Sequence, residues 1–338
     1  MSMPGEAKLL PWHRDIWSRL QAARGAGRLP HALLLAGAGG LGKRQFADAF
    51  AHSLFCASPD ESGAPCGHCR GCHLFQVGNH PDFICIEPEE AGKAIKIDVI
   101  RGLVDKGALT TQAGGYRVIV IEPADAMNTA AANSLLKTLE EPVPWTLMIL
   151  VTSRPGRLPA TIRSRCQRVT FPIPPRHQAM EWLGGQIGQG DPQLLLALAS
   201  GAPLQARALA QAEILKERAL MADEFYAAFK GEQDPVAIAG RWEKLDLPRV
   251  LNWMAGWLID MLRLKSGAQP PVLYNPDQRP RLQSMAQGLD FKVLHGMLDR
   301  VYDANRTLGS QLNTLMLLES LLLAWANSKT ASGVRENT

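Results

Sequence analysis

Two stretches of this 338-residue chain have residue types and spacing that can do chemistry. One is the set Cys56, Cys66, Cys69 and Cys72, spaced C-x9-C-x2-C-x2-C. The other is the run Gly37-Ala38-Gly39-Gly40-Leu41-Gly42-Lys43-Arg44. Two-residue gaps let consecutive thiolates turn toward one ion. Four thiolates fill a tetrahedral shell and leave no open position for catalysis. The cysteines therefore point to a structural zinc, and free loop thiols are the plainer alternative. His68 and His73 read as loop or surface residues, and Cys85 as a small buried residue of a strand.

The glycine run fits the phosphate-loop pattern G-x-x-x-x-G-K through Gly37, Gly40, Gly42 and Lys43. Such a loop turns backbone N–H groups toward phosphate, the following helix adds positive field, and the lysine reaches the outer phosphates. The next position should be the Ser or Thr that holds magnesium, and Arg44 stands there instead. The second nucleotide motif, an Asp-Glu pair closing a strand, is replaced by Glu122-Pro123 after Arg117–Ile121, and proline supplies no base. Asp125, three residues on, reads as the cap of the next helix. Loss of metal ligand and base together argues against hydrolysis. Both an empty loop and one that still takes a nucleotide fit these residues. A third stretch, Arg163-Ser164-Arg165-Cys166-Gln167-Arg168, is rich in guanidinium groups at a helix end, where a solvated basic face is also expected.

These residues need elements to position them. A helical spacing over 12–26 precedes a buried strand at 31–36, and a helix runs from Lys43 to about Cys56. Short apolar runs follow at 83–86, 118–122, 147–151 and 168–171, most of them separated by helical stretches. This predicts an α/β domain with a parallel sheet covered on both faces. After Pro172 the texture becomes helical, over about 176–185, 191–200, 203–228, 234–265, 281–306 and 310–327. Hydrophobic residues make up 46% and charged residues 20%, which is the composition of a globular protein with a core. The net charge of +4 is too mild for a dedicated nucleic-acid binder. The N-terminus lacks a basic-then-apolar leader pattern. The run 312–326 is short and interrupted by Asn313 and Glu319, so no membrane span and a cytoplasmic location are expected.

Taken in order, several pieces resemble the bacterial clamp-loader family of the AAA+ class. They are the phosphate loop, the inserted cysteine knuckle, His80-Pro81-Asp82, and Asn133-Ser134-Leu135-Leu136-Lys137-Thr138-Leu139-Glu140-Glu141-Pro142. Ser164-Arg165-Cys166 and the C-terminal Leu317–Trp325 complete the set. The resemblance covers nearly the whole chain. It implies an AAA+ P-loop-type α/β domain over 1–172 with the zinc insertion at 56–72. A small helical lid at 173–206, a helical collar at 207–330 and a flexible tail at 331–338 would follow.

Within that family the gamma/tau subunits hydrolyse ATP and another subunit does not. Arg44, Glu122-Pro123 and Leu204, which stands where an ATPase would carry its sensor arginine, all match the second kind. The resemblance then implies that Arg165, flanked by Ser164 and Cys166, acts in trans on the ATP of a gamma/tau neighbour. Thr152 and Ser153 match the region of the first sensor. The implied partners are the gamma/tau and delta subunits and, through the complex, the sliding clamp and primer–template DNA. The setting would be DNA replication, within a DNA-directed DNA polymerase holoenzyme. Zinc is the implied cofactor and nucleotide is not required. An active gamma/tau-like ATPase would need Ser or Thr at 44 and an acid pair at 122–123. A zinc-based nucleic-acid module would need basic and aromatic residues around the cysteines, and between Cys56 and Cys72 the loop offers Arg70 and no Phe, Tyr or Trp.

Overall fold

A computed structural model of the chain describes residues 9–90, 92–100, 102, 111, 114–188, 190–210, 212–267, 273–307 and 313–331. The apolar runs become five strands: β1 Ala32–Ala36, β2 Phe83–Ile86, β3 Arg117–Ile121, β4 Thr146–Thr152 and β5 Gln167–Thr170. All neighbours pair in parallel, in the order β2-β3-β4-β1-β5. Every residue of β1 and β3 is buried, as is β4 beyond Thr146. A strand covered on both faces reads as a continuous apolar run, which is why these were legible. The register sets Ala36 level with Thr152 and Thr170. The loop leaving β1 therefore opens mid-edge at the C-terminal ends of the strands, beside the loop after β4.

Helices α1 (Arg14–Gly25), α2 (Lys43–Phe55), α3 (Arg70–Gln76), α4 (Thr129–Glu140) and α5 (Ala160–Arg163) accompany the sheet. Phe46 and Phe50 of α2 stack one turn apart, with Trp17 of α1 edge-on to both. This aromatic seam holds the phosphate-loop helix against the N-terminal helix. Asp125 does not cap α4. Asn128 occupies the N-cap and its side chain accepts from the Ala131 N–H, while Asp125 lies in a short 3₁₀ turn facing Thr152. Cys85 is only half-buried, because its side of β2 faces the polar cluster described below rather than the core.

The chain divides into two compact units, Met1–Trp182 and Leu183–Thr338. β5 ends at Thr170 and every later described element is helical. These are α6 (Arg176–Gly184), α7 (Pro192–Leu198), α8 (Pro203–Leu209), α9 (Ala212–Lys230), α10 (Pro235–Trp242), α11 (Leu247–Lys265), a 3₁₀ turn Pro276–Gln278, α12 (Arg279–Gln287), α13 (Phe291–Arg306), α14 (Thr314–Ala326) and α15 (Ser328–Ala331).

Three long helices expected from periodicity are each divided. The stretch 203–228 breaks after Leu209. The stretch 234–265 breaks at 243–246, where Asp246 caps a new helix that opens Leu247-Pro248. The stretch 281–306 breaks at Gly288, ahead of Asp290. Apolar spacing continues across such short breaks, so the cap residues mark them better than the pattern does. The expected start of the last helix at 310–312 and the tail at 332–338 lie outside the described residues.

Inside the second unit Trp242, Trp257 and Trp325 are fully buried. Trp325 stacks on Phe225 at 4.3 Å and donates through Nε1 to the Phe225 carbonyl at 2.9 Å. Glu224 accepts from Trp242 Nε1 and Arg241 Nε, both at 2.6 Å. Buried indole N–H groups cost free energy unless paired, and two of these three are paired in this way.

Candidate functional site

The phosphate loop lies where the pattern places it, between β1 and α2. Gly42 is the N-cap of α2 in the left-handed region, at φ +79°. A Cβ there would lie 2.4 Å from Leu10 Cδ1 and 3.0 Å from His13 Cε1. The loop is propped from below. Trp12 Nε1 and His13 Nε2 both bond the Leu41 carbonyl, at 2.9 and 2.8 Å. Since the carbonyl only accepts, Nε2 of His13 carries a proton and donates it. Burial pushes its pKa down to about 4, against the opposing pull of the Leu41 bond. Leu10, Trp12 and His13 were not singled out from the sequence. An aromatic pair ahead of a helix carries no phosphate-loop signal.

Lys43 is buried and turned back onto its own loop. Its Nζ donates to the carbonyls of Gly37 at 2.8 Å and Ala38 at 2.6 Å, and to Ser153 Oγ at 3.2 Å. Burial lowers its pKa, and Glu122 and Asp125 pull the other way. Arg44 reaches sideways. Its Nε donates to both oxygens of Asp48, at 2.9 and 3.0 Å, and one terminal nitrogen contacts Glu87 and, at 3.3 Å, Glu122 Oε2. Burial raises the pKa of Asp48 and of Glu122, and Arg44 opposes it at both. Burial alone would lower Arg44, but Asp48, the Cys85 sulfur and Glu87 outweigh it and its pKa is raised. Thr152 Oγ1 donates to Asp125 at 2.6 Å, and Arg154 Nε to the other oxygen at 3.0 Å. The two residues matched to the first sensor thus engage Asp125 and Lys43.

The cysteines converge. All four sulfurs lie within 4.8 Å of one another. Zinc–thiolate bonds of about 2.3 Å in a tetrahedron imply sulfur pairs about 3.8 Å apart, and Cys66 and Cys72 stand at 3.9 Å. Cys56 and Cys72 are buried. The Cys66 N–H donates to Cys56 Sγ at 3.2 Å and the Cys72 N–H to Cys69 Sγ at 3.4 Å, bonds that favour thiolates. N–H donation from Ala57 and Cys72 holds the Cys69 thiol down to about 6. Gly71 permits the approach, since a Cβ there would fall 2.1 Å from the Phe55 carbonyl oxygen. This lets α3 bring Cys72 against the end of α2, where Cys56 sits. The set fits a closed structural zinc site. His68 and His73 are exposed and outside it.

Arg165 follows α5 by two residues and is one-third exposed. It donates to the Thr161 carbonyl at 3.0 Å and pairs with Glu140 Oε1. A guanidinium has five N–H donors. Two are engaged, so three remain without partners among the described residues. Glu140 closes α4, an end where the helix field disfavours a carboxylate and favours a cation beside it. Ser164 is exposed and bonds Thr161 O at 3.2 Å, while Cys166 is buried and its thiol pushed up to about 11. The described geometry does not bring Arg165 into contact with the phosphate loop.

Residues 12–175 match the family described as DNA polymerase III, delta subunit, and residues 212–327 match its C-terminal family. The chain is 35% identical to DNA polymerase III subunit delta-prime of Pseudomonas aeruginosa over 95% of this chain and 98% of that one. It is 34% identical to the Escherichia coli subunit of that name, over 93% and 94%. DNA polymerase III subunit tau of Escherichia coli is 27% identical over 81% of this chain and 40% of its own length.

Proposed function

The chain belongs to the family of DNA polymerase III delta-prime subunits, and from that premise we propose that it serves a clamp loader without hydrolysing ATP itself, helping to load the sliding clamp on primed DNA in replication. The observation that carries the reading is the contrast in its own first unit. Arg44 and Glu122-Pro123 stand where magnesium and water would be managed. Arg165 meanwhile presents three unengaged donors. Charge develops on the phosphoryl oxygens as ATP is cleaved, and a guanidinium reaching across an interface stabilises it.

In this reading Arg165, between Ser164 and Cys166, works on the ATP of a gamma/tau neighbour. The helical half supplies a lid over 173–206 and a collar over 207–330. In the collar, Met316 and Leu323 of α14 are exposed apolar side chains suited to a subunit contact. The loader's other partners are the delta subunit, the clamp and primer–template DNA, and the location is cytoplasmic.

A turnover assay on the purified chain tests the first half of the reading. No magnesium-dependent ATP hydrolysis above background is expected. Turnover at ordinary ATPase rates that disappears with Lys43→Ala would overturn it.

The zinc belongs to the same reading, as a structural ion held by Cys56, Cys66, Cys69 and Cys72. Metal analysis should give one zinc per chain, and Cys69→Ser with Cys72→Ser should lose it. Structural zinc contributes about 10–16 kcal/mol in small fingers that have little other core. Here the aromatic seam of α1 and α2 is independent of the metal. Melting confined to the insertion is therefore the expected result, read by hydrogen exchange at residues 56–76. Full zinc retention in the double variant would remove the assignment.

A further inference from the structure

A phosphate-loop ATPase holds magnesium between the hydroxyl after its loop lysine and the acid at the end of the neighbouring strand. The residues present do not fit that ion. Arg44 replaces the hydroxyl, and a guanidinium has no lone pair to give a metal. What it does instead is visible in its contacts. Asp48 lies one helical turn along α2, Glu87 follows β2 and Glu122 follows β3. The Arg44 fork touches all three, at 2.9, 3.0 and 3.3 Å to the Asp48 and Glu122 oxygens and closely to Glu87. Its side chain is only 19% exposed.

The Asp48 contact alone would be an ordinary pair along a helix. Glu87 and Glu122 come from 43 and 78 residues away and owe their approach to the fold. Lys43 gives its hydrogen bonds to loop carbonyls and Ser153 and acts on Glu122 only through its charge, without a direct contact. Without the guanidinium, three carboxylates would face one another beside the half-buried Cys85 sulfur, which lies 3.6 Å from Glu87.

We infer that Arg44 is a resident cation: its guanidinium takes the place between phosphate loop and strand ends that a divalent ion would take, neutralising Asp48, Glu87 and Glu122 from within the chain and closing the site to metal. A guanidinium suits this, because its several N–H donors can meet different carboxylates at once, Nε facing Asp48 and one terminal nitrogen facing Glu87 and Glu122, and because it carries its charge at every physiological pH. The inference is independent of any role for Arg165. It also accounts for three acids converging at a site that has lost its magnesium ligand.

The test uses the full chain with zinc in place and Mn²⁺ as the probe. Asp48 is buried while Glu122 and Glu87 keep 29% and 37% exposure, so leaving the three unpaired carries a moderate cost, and Arg44→Ser should lower Tm by about 3–6 °C in buffer without Mn²⁺. Millimolar Mn²⁺ should restore most of that loss while leaving the wild-type Tm unchanged. Electron paramagnetic resonance should count one Mn²⁺ more on the variant than on the wild type. Adding Glu87→Gln and Glu122→Gln should restore Tm without Mn²⁺ and abolish the extra binding. If Arg44→Ser alone does not fold, recovery of folding in the triple variant supports the inference and its failure overturns it. The inference also falls if Arg44→Ser is as stable as wild type without Mn²⁺. A loss that neither Mn²⁺ nor the glutamines reverse, or equal Mn²⁺ binding by wild type, counts against it in the same way.

Discussion

Lys43 and Arg165 are both cations in the first unit, and their surroundings are opposite. Lys43 is buried with its ammonium on two carbonyls of its own loop and a serine hydroxyl. Arg165 is one-third exposed, steadied by one carbonyl and one carboxylate, with most of its fork unengaged. Polar groups that satisfy themselves inside a fold contribute to stability. Polar groups held in place with donors left over are available to something else. The comparison sets a loop lysine whose bonds all close within its own scaffold against a guanidinium, after α5, that keeps donors unengaged among the described residues. Substitutions in the loop should therefore change stability, and substitutions at Arg165 should change what a partner does.

The largest stability effect is expected at Gly42. A Cβ there meets Leu10 at 2.4 Å in a left-handed backbone, so Gly42→Ala combines overpacking with conformational strain. Together these cost about 2–4 kcal/mol. Denaturant unfolding of the first unit measures it. A change below about 0.5 kcal/mol, typical of a free surface loop, would break the comparison on the scaffold side.

A smaller, pH-dependent effect belongs to His13. The unfolded histidine takes a proton near pH 6.5 and the folded one only near 4. Between those values the unfolded state binds more protons, so the contribution is full above pH 6.5 and is lost as pH falls toward 4. The loss amounts to at most about 3 kcal/mol. Asp48 and Glu122, with raised pKa values, push in the other direction in acid. The wild type must therefore be compared with His13→Gln. The variant should be less stable at pH 7, and the gap should close toward pH 4. A gap constant with pH would show that His13 acts by packing alone.

Much of this was legible in the sequence where the signal was local. The strands showed as apolar runs because both faces are covered. The cysteines showed because three of the four lie within seven residues, and Gly37 to Lys43 because a phosphate loop is contiguous. Contacts between distant stretches were hidden. Arg44 meets Glu87 and Glu122 only through the strand order β2-β3-β4-β1-β5, which places their loops on one edge. His13 reaches Leu41 only because α1 packs on α2 through Trp17, Phe46 and Phe50. Asp125 was read as a cap because acids favour helix starts, yet Asn128, equally suited to that task, stood closer to Thr129. A cysteine within an apolar strand run points to a small buried residue, and the side of β2 that carries Cys85 instead faces Arg44 and Glu87.

The most direct test places Lys43→Met and Arg165→Ala separately in this chain and reconstitutes each with gamma/tau and delta subunits, with assembly checked by gel filtration. DNA-stimulated ATP turnover and clamp loading are then measured. Arginine fingers contribute about 10³–10⁵ in rate at a single site, and the proposed role of Arg165 predicts a smaller loss when the whole assembly is assayed. Arg165→Ala should assemble and slow both activities, with Arg165→Lys recovering little because it lacks the planar fork. Lys43→Met should assemble and run at the wild-type rate. A loader that is slowed by Lys43→Met and indifferent to Arg165→Ala would contradict the account.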